Sequence, residues 1–148
     1  MGRHRFALTV MLGLVLAVAA AIPASAATIR FRVTMAPSPM SLGTVPVGTE
    51  SVPQILYATN RSPVPLRWVR SEFQARPSSG LIILDLAPAP ANCFDGTDWV
   101  IQPGQTCGLV KISFKPDTTG TFYVDGVNRF TDGVTTVTAT STAKGKAV

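Results

Sequence analysis

Two cysteines are the residues of this chain most able to support chemistry. Cys93 and Cys107 are its only cysteines, and such a pair can form one disulfide bond, remain as free thiols or bridge two molecules. The N-terminal residues, described below, predict a secretory leader, and disulfides persist in oxidising compartments. We therefore predict an intramolecular Cys93–Cys107 disulfide, with free thiols and an intermolecular bridge as the alternatives.

Histidine chemistry is missing from the predicted mature chain. The only histidine is His4, which leaves with the leader. The remaining chain cannot build a Ser-His-Asp triad, a Cys-His pair or a histidine metal site. We therefore predict a protein that is not an enzyme and that holds no metal and no cofactor.

Four aspartates are the remaining candidates for chemistry: Asp95, Asp98, Asp125 and Asp132. Two of them could share a calcium ion or form the acid/base pair of a glycosidase. Asp-Gly and Asp-x-x-Asp are also ordinary turn formers. We favour turns and assign no catalytic or metal-binding residue.

The N-terminus has the three parts of a signal peptide. Arg3 and Arg5 supply positive charge, residues 6–22 are almost wholly apolar, and Ala24-Ser25-Ala26 matches a signal-peptidase site. We predict cleavage after Ala26, which gives a leader over residues 1–26 and a single secreted, extracellular domain over residues 27–148. The alternative is an uncleaved membrane anchor, but the apolar run is shorter than the ~20 residues of a typical span.

The predicted mature chain is weakly basic. Without Arg3 and Arg5 it has 11 Lys and Arg residues against 8 Asp and Glu residues, a net charge of +3. The basic residues are scattered and form no run, so we predict no nucleic-acid partner. We also expect no stable membrane insertion after leader cleavage.

Strand patterns dominate the mature chain. Ile29, Phe31 and Val33 alternate with polar residues, as in a half-buried strand. Leu81 to Leu86 is a short apolar run, broken only by Asp85, that predicts a buried strand. Seven to eight such segments, separated by turn residues, favour an all-β, immunoglobulin-like antiparallel β-sandwich.

Several short signals predict turns or irregularities. Gln102-Pro103-Gly104-Gln105 matches a type II turn, in which glycine supplies the positive φ. Asp125-Gly126 and Asp132-Gly133 are turn or bulge candidates. Val134 to Thr140 predicts a last, threonine-rich strand.

A set of ordered motifs between Ser41 and about Val127 resembles a known family. The matching residues are Gly43, Val45, Val47, Gly48, Thr59, Asn60, Pro65, Leu66, Ile101, Pro103, Gly104, Cys107, Phe114, Pro116 and Gly120. In this order they are similar to the bacterial immunoglobulin-like modules of the ASH (hydin-type) and choice-of-anchor D group. The resemblance implies a β-sandwich that acts as a binding, scaffolding or spacer unit and not as an enzyme.

The chain departs from that family after the second cysteine. The family places an aromatic residue six positions after the cysteine, whereas Phe114 is seven positions after Cys107. An odd separation puts the two side chains on opposite faces of a regular strand. We therefore predict a β-bulge, placed at Gly108.

The same family strand gives a candidate contact patch. If Leu56 and Ala58 face the core, then Ile55 and Tyr57 point outward, and with Arg67 they form a candidate surface contact. The alternative is that a neighbouring loop, such as the proline-rich opening, covers the pair.

These observations favour a secreted, non-catalytic binding or structural module that contacts an unidentified protein or cell-surface partner. The alternative is an inhibitor of an extracellular enzyme that inserts the rigid loop between Cys93 and Cys107. A rigid loop loses little conformational entropy on binding, which favours affinity.

Overall fold

The computed structural model describes residues 29–88 and 93–148, so the predicted leader lies outside the described residues. Nine β-strands and no helix occur in the described part of the chain. The strands are β1 (Val33–Ala36), β2 (Met40–Val45), β3 (Gln54–Asn60), β4 (Leu66–Arg76), β5 (Leu81–Leu86), β6 (Val100–Ile101), β7 (Thr106–Lys115), β8 (Gly120–Thr131) and β9 (Thr136–Ala147).

The strands form two sheets with the order of an immunoglobulin sandwich. The four-stranded sheet has the order β1-β3-β7-β5, and the five-stranded sheet has the order β2-β9-β8-β4-β6. For comparison with an immunoglobulin domain, we count β1 and β2 together as the first strand and leave out the short β6, so that β3, β4, β5, β7, β8 and β9 become the second to seventh strands. The four-stranded sheet then contains the first, second, fifth and fourth strands. The other sheet contains the seventh, sixth and third strands, together with the β2 part of the first. That is the immunoglobulin arrangement, and it confirms the predicted all-β sandwich, with nine strands instead of seven or eight.

The first strand is shared between the two sheets. β1 pairs antiparallel with β3, and after Pro37-Ser38-Pro39 the chain enters the other sheet as β2. There β2 lies parallel to β9, the one parallel pair among the described strands. The proline pair fits this crossing because proline cannot continue a ladder.

The core lies between the two sheets and is formed by alternate residues of the long strands. Its fully buried side chains include Leu56, Leu66, Ile112, Phe114 and Phe130. The rings of Phe114 and Phe122, one from each sheet, have centroids 4.2 Å apart. Contact across the core therefore joins the sheets through interlocked apolar side chains, as in other sandwiches.

β7 contains the predicted bulge. Leu56 of β3 pairs with Val110, but Tyr57 pairs with Gly108, so Leu109 is an extra residue opposite β3. The extra residue compensates for the odd spacing, so the side chains of Cys107 and Phe114 point to the same face of the sheet. Both are fully buried in the core. The prediction of a bulge at Gly108 is confirmed, with the inserted residue directly after the glycine.

The predicted disulfide joins the two sheets. Cys93 and Cys107 are bonded, with their Cα atoms 5.9 Å apart. Cys107 belongs to β7 of the four-stranded sheet, whereas the Cys93 carbonyl accepts a hydrogen bond from Val100 of β6, in the other sheet. Closing this loop stabilises the fold by about 3 kcal/mol in the chain-entropy model.

Asn60 anchors the turn that precedes β7. Its side chain donates to the carbonyls of Val64 and Ile101 and accepts from the Ser62 amide. Its backbone exchanges hydrogen bonds with Gly104 and Gln105. Gly104 has a φ of +77°, and the Gln105 amide donates to the Gln102 carbonyl. The predicted type II turn is therefore confirmed.

Several strand predictions were wrong in their details. The first strand begins at Val33 and not at Ile29. Leu81–Leu86 does not form a buried strand, because β5 lies at the edge of the four-stranded sheet. Asp125-Gly126 is neither a turn nor a bulge, because it lies in the middle of β8 in regular register with β4 and β9. The glycine is required there because a Cβ at position 126 would lie 2.5 Å from the Phe73 ring.

Candidate functional site

The predicted Ile55 and Tyr57 pair lies on the outer face of the four-stranded sheet. Leu56 and Ala58 are buried in the core, Tyr57 is 40% exposed and Ile55 is half-buried. Both side chains lie over Gly108, where a Cβ would be 3.1 Å from Ile55 Cγ2 and 3.4 Å from Tyr57 Cε1. The orientation expected from the alternation is therefore observed, and the glycine of the bulge makes room for it.

The proline-rich segment before β3 covers a different part of this face. Glu50 accepts a hydrogen bond from the buried Ser113 hydroxyl, and Ser51 bonds with the backbone of Phe114. These contacts lie beyond the start of β3, along β7, and leave Tyr57 exposed. The loop therefore shields one end of the face but does not bury the tyrosine.

Arg67 does not join this pair. It lies in β4 of the five-stranded sheet, on the opposite side of the sandwich from β3. Its guanidinium forms an ion pair with Asp98 at 3.2 Å. The three predicted contact residues therefore belong to two separate surfaces.

A larger apolar feature, which the sequence reading missed, lies at the edge of the same sheet as Tyr57. Leu81, Leu84 and Leu86 of β5 are 60%, 44% and 63% exposed. We call these three leucines the apolar edge. Natural edge strands usually carry charges or prolines that prevent pairing with another chain, and β5 has only Asp85.

Among the described residues, no strand pairs with the outer side of β5. In an antiparallel pair, alternate residues direct their amide and carbonyl groups to the neighbour and away from it. Ala87 donates to the Leu109 carbonyl of β7, so Asp85, Ile83 and Leu81 share its orientation toward β7. The backbone groups of Ile82, Leu84 and Leu86 therefore point outward from the sheet.

The segment between the cysteines forms a small, well-supported hairpin. The Asp95 amide donates to the Asp98 carbonyl, and Phe94 forms a bridge with Trp99. The rings of Phe94 and Trp99 are 5.8 Å apart between centroids. The hairpin thus holds a partly exposed phenylalanine near its tip.

Charged and hydroxyl side chains cover the outer face of the five-stranded sheet. Arg76 forms an ion pair with Asp125. The Tyr123 ring lies between Arg76 and Lys144, with the two cations 5.5 and 5.8 Å from its centroid. The exposed positions of β9 continue this surface with Thr136, Thr138 and Thr140. This face is polar, in contrast to the apolar edge of the other sheet.

The aspartates occupy structural positions. Backbone amides of Asp98 and Thr97 donate to Asp95 and lower its pKa, and those of Thr135 and Val134 do the same for Asp132. The Arg76 guanidinium lowers the pKa of Asp125. A carboxyl group with a lowered pKa is ionised at neutral pH and has no proton to donate. These three aspartates are therefore poorly suited to act as general acids.

Within residues 29–88 and 93–148, no three His, Cys, Asp or Glu side chains lie close enough together to hold a metal ion. The same residues include no helix with the length and hydropathy needed to cross a membrane.

Comparisons with known proteins identify structural neighbours but no sequence relative. No protein-family model matches the chain, and no curated protein matches it. The VesB protease of Vibrio cholerae is similar in structure, with a TM-score of 0.54 and 16% identity over 78% of this chain and 31% of that one. The secreted serine protease VesC of Vibrio cholerae has a TM-score of 0.51 and 16% identity over 80% of this chain and 23% of that one.

A third structure is the ASH/PapD-like domain of human CEP192 (PapD-like domain 7). It has a TM-score of 0.49 and 12% identity, and the match covers 78% of this chain and 84% of that one. This score is too low to establish a shared fold by itself. The chain spans less than a third of each protease, and identities of 16% indicate a common fold for the matched part alone. The immunoglobulin-like description therefore depends on the strand order.

Proposed function

We propose that this chain is a secreted, non-catalytic immunoglobulin-like module that binds a protein partner through the apolar edge. The observation that carries the proposal is the exposure of Leu81, Leu84 and Leu86 on an edge strand with outward backbone groups. An extended segment of the partner would add to β5 as a further strand, a common mode of peptide recognition. Ile55 and Tyr57 lie on the outer face of the same sheet, with β7 between them and β5, and form a separate apolar patch.

The chemistry of the described residues is consistent with a module that is not an enzyme. Both cysteines are bonded to each other in the disulfide. Asp95 and Asp132 accept hydrogen bonds within turns, and Asp125 forms an ion pair. The ASH (hydin-type) and choice-of-anchor D resemblance favours the same role. The inter-sheet disulfide is typical of proteins from oxidising compartments and favours export. Sequencing the N-terminus of the protein recovered from culture medium would test cleavage after Ala26.

The proposed binding mode predicts a selective effect of charge on β5. Leu84→Lys and Leu86→Lys place a charge on the strand edge and should abolish capture of the partner from the producing culture. Val134→Lys is the matched control, because Val134 is 94% exposed in the turn between β8 and β9. A photo-crosslinking residue at position 86 should label the same partner. Capture that survives both leucine variants, or that Val134→Lys abolishes equally, would contradict the proposal.

The hairpin between the cysteines supports a second candidate, inhibition of an extracellular enzyme. Phe94 is partly exposed on a loop held by a disulfide and by internal hydrogen bonds. Such rigidity reduces the entropy lost on insertion into an enzyme cleft. If this function is correct, the protein should inhibit a member of a panel of secreted serine, cysteine and metalloproteases. Reduction or Phe94→Ala should abolish the inhibition, whereas Val134→Ala should not.

A further inference from the structure

A cleft with basic and hydroxyl-bearing walls lies between β2, β9 and the start of β8, on the outer face of the five-stranded sheet. Its volume is about 420 Å³, within the range of small-ligand sites. The side chains of Lys144, Lys146, Ser41, Thr44 and Thr121 line it, and none of its lining residues is acidic. The cleft lies on the opposite side of the sandwich from the outer face that carries Tyr57.

The strand register places the lysines beside the hydroxyls. Lys146 lies between Thr44 of β2 and Thr121 of β8, which are its two cross-strand partners. Lys144 has Ser41 as its partner in β2. Because cross-strand partners project to the same face of a sheet, each lysine side chain extends from the sheet beside a hydroxyl-bearing side chain.

One glycine, Gly43, keeps the cleft open between the lysines. Gly43 and Gly145 are paired, at the point where the register of β2 shifts between Ser41 and Gly43. Gly43 has a φ of +74°, and a Cβ at this position would meet no atom within 4 Å. The space beside the lysines is therefore bounded by backbone instead of by a side chain.

The positive charges of the cleft are not neutralised by a carboxylate within the described part of the fold. Neither lysine forms an ion pair there, whereas the four salt bridges in this part of the protein all involve arginines. Lys144 does lie near the Tyr123 ring, at 5.8 Å from its centroid. An ammonium and a hydroxyl can both donate to the oxygens of an anion.

We infer that this cleft binds a phosphate group carried by a small unit, such as a phosphorylated sugar or polyol. Two point charges together with three hydroxyl donors fit the several oxygens of a phosphate. The cleft is larger than a free phosphate ion requires, so it has room for the unit attached to the phosphate. The group can come from a free phosphate ester or from a repeating phosphodiester polymer, and the two sources share this chemistry.

An NMR titration of the full mature protein at constant ionic strength tests the site. The probes are inorganic phosphate, glycerol 3-phosphate, a glycerol phosphate polymer and citrate. We expect saturable shifts of the amides of Gly43, Thr44, Gly145 and Lys146 with the phosphate compounds. Tighter binding of the ester identifies a free ester as the source, and tighter binding of the polymer, per phosphate, identifies the polymer.

Charge reversal provides the specificity control. Lys144→Glu combined with Lys146→Glu should weaken phosphate binding by about tenfold or more. Lys115→Glu combined with Lys111→Glu changes the net charge equally on the other sheet and should leave affinity within about twofold. Thermal melts establish that both pairs of variants fold. Equal losses in the two pairs, citrate binding as tight as that of glycerol 3-phosphate, or no saturable shift would each overturn the inference.

The outcome is independent of the proposed protein contact. Lys144→Glu with Lys146→Glu should leave capture of the partner by the apolar edge unchanged, because the apolar edge belongs to the other sheet. Failure of the phosphate titration would therefore leave the strand-addition proposal intact, and failure of partner capture would leave the phosphate site intact.

Discussion

The ring of Phe122 lies over the backbone of Gly145, its cross-strand partner, in the space that a side chain at position 145 would occupy. Gly145→Ala should therefore lower the free energy of unfolding by about 2 kcal/mol, the usual cost of overpacking a core. Urea denaturation would measure the loss, and Thr140→Ala on the exposed side of β9 is the control. Adding Phe122→Leu should recover part of the loss, because contacting residues are coupled. Additive effects would contradict this steric explanation.

The buried amide of Asn60 leads to a second prediction. Asn60→Ala removes three side-chain hydrogen bonds and leaves the carbonyl groups of Val64 and Ile101 without their donor. We expect a loss of about 3 kcal/mol in unfolding free energy, since unsatisfied buried groups are costly. Arg61→Ala, at the exposed neighbouring position, should change it by less than about 0.5 kcal/mol. Similar denaturation midpoints for the two variants would be incompatible with the role assigned to Asn60.

Reduction of the disulfide should weaken the attachment between the sheets. We expect dithiothreitol to lower the unfolding free energy of the wild-type protein by about 3 kcal/mol. A variant with Cys93→Ala and Cys107→Ala should be unaffected by the reductant and serves as the control. If both proteins respond equally, the reductant acts elsewhere.

The turn at Asp132 predicts a specific dependence of stability on pH. The Thr135 and Val134 amides lower the pKa of Asp132 below its ordinary value of 3.8. The ionised carboxylate therefore contributes stability that is fully present above pH 3.8 and is lost as pH falls through the lowered pKa. Asp132→Asn should be less stable than wild type at pH 6, and the difference should shrink in acid. Thermal melts across this range test it, and a difference that stays constant with pH would refute it.

Local sequence signals predicted the features that depend on neighbouring residues. The odd spacing between Cys107 and Phe114 required a bulge, and β7 contains one. Pro103-Gly104 predicted a type II turn because glycine can adopt its positive φ, and that turn is present. The disulfide was predicted from an isolated cysteine pair in a chain with a predicted leader, and the two cysteines are bonded.

Features that depend on strand position could not be predicted in the same way. The run Leu81–Leu86 is as apolar as a central strand, but hydrophobicity does not say whether a strand has one neighbour or two. Arg67 was placed near Tyr57 from sequence proximity, yet consecutive strands β3 and β4 belong to different sheets. The last strand was predicted to end at Thr140 because the inward residues beyond it, including Ala143 and Gly145, are small and carry little hydrophobic signal.

The parallel contact between β2 and β9 has a mechanical consequence. The two strands run in the same direction, so tension applied at the start of β2 and the end of β9 would slide them past each other. The evenly spaced bonds of a parallel pair would then bear the load together in shear instead of rupturing one by one. We therefore expect the protein, when stretched in this direction, to unfold abruptly at high force when β2 separates from β9.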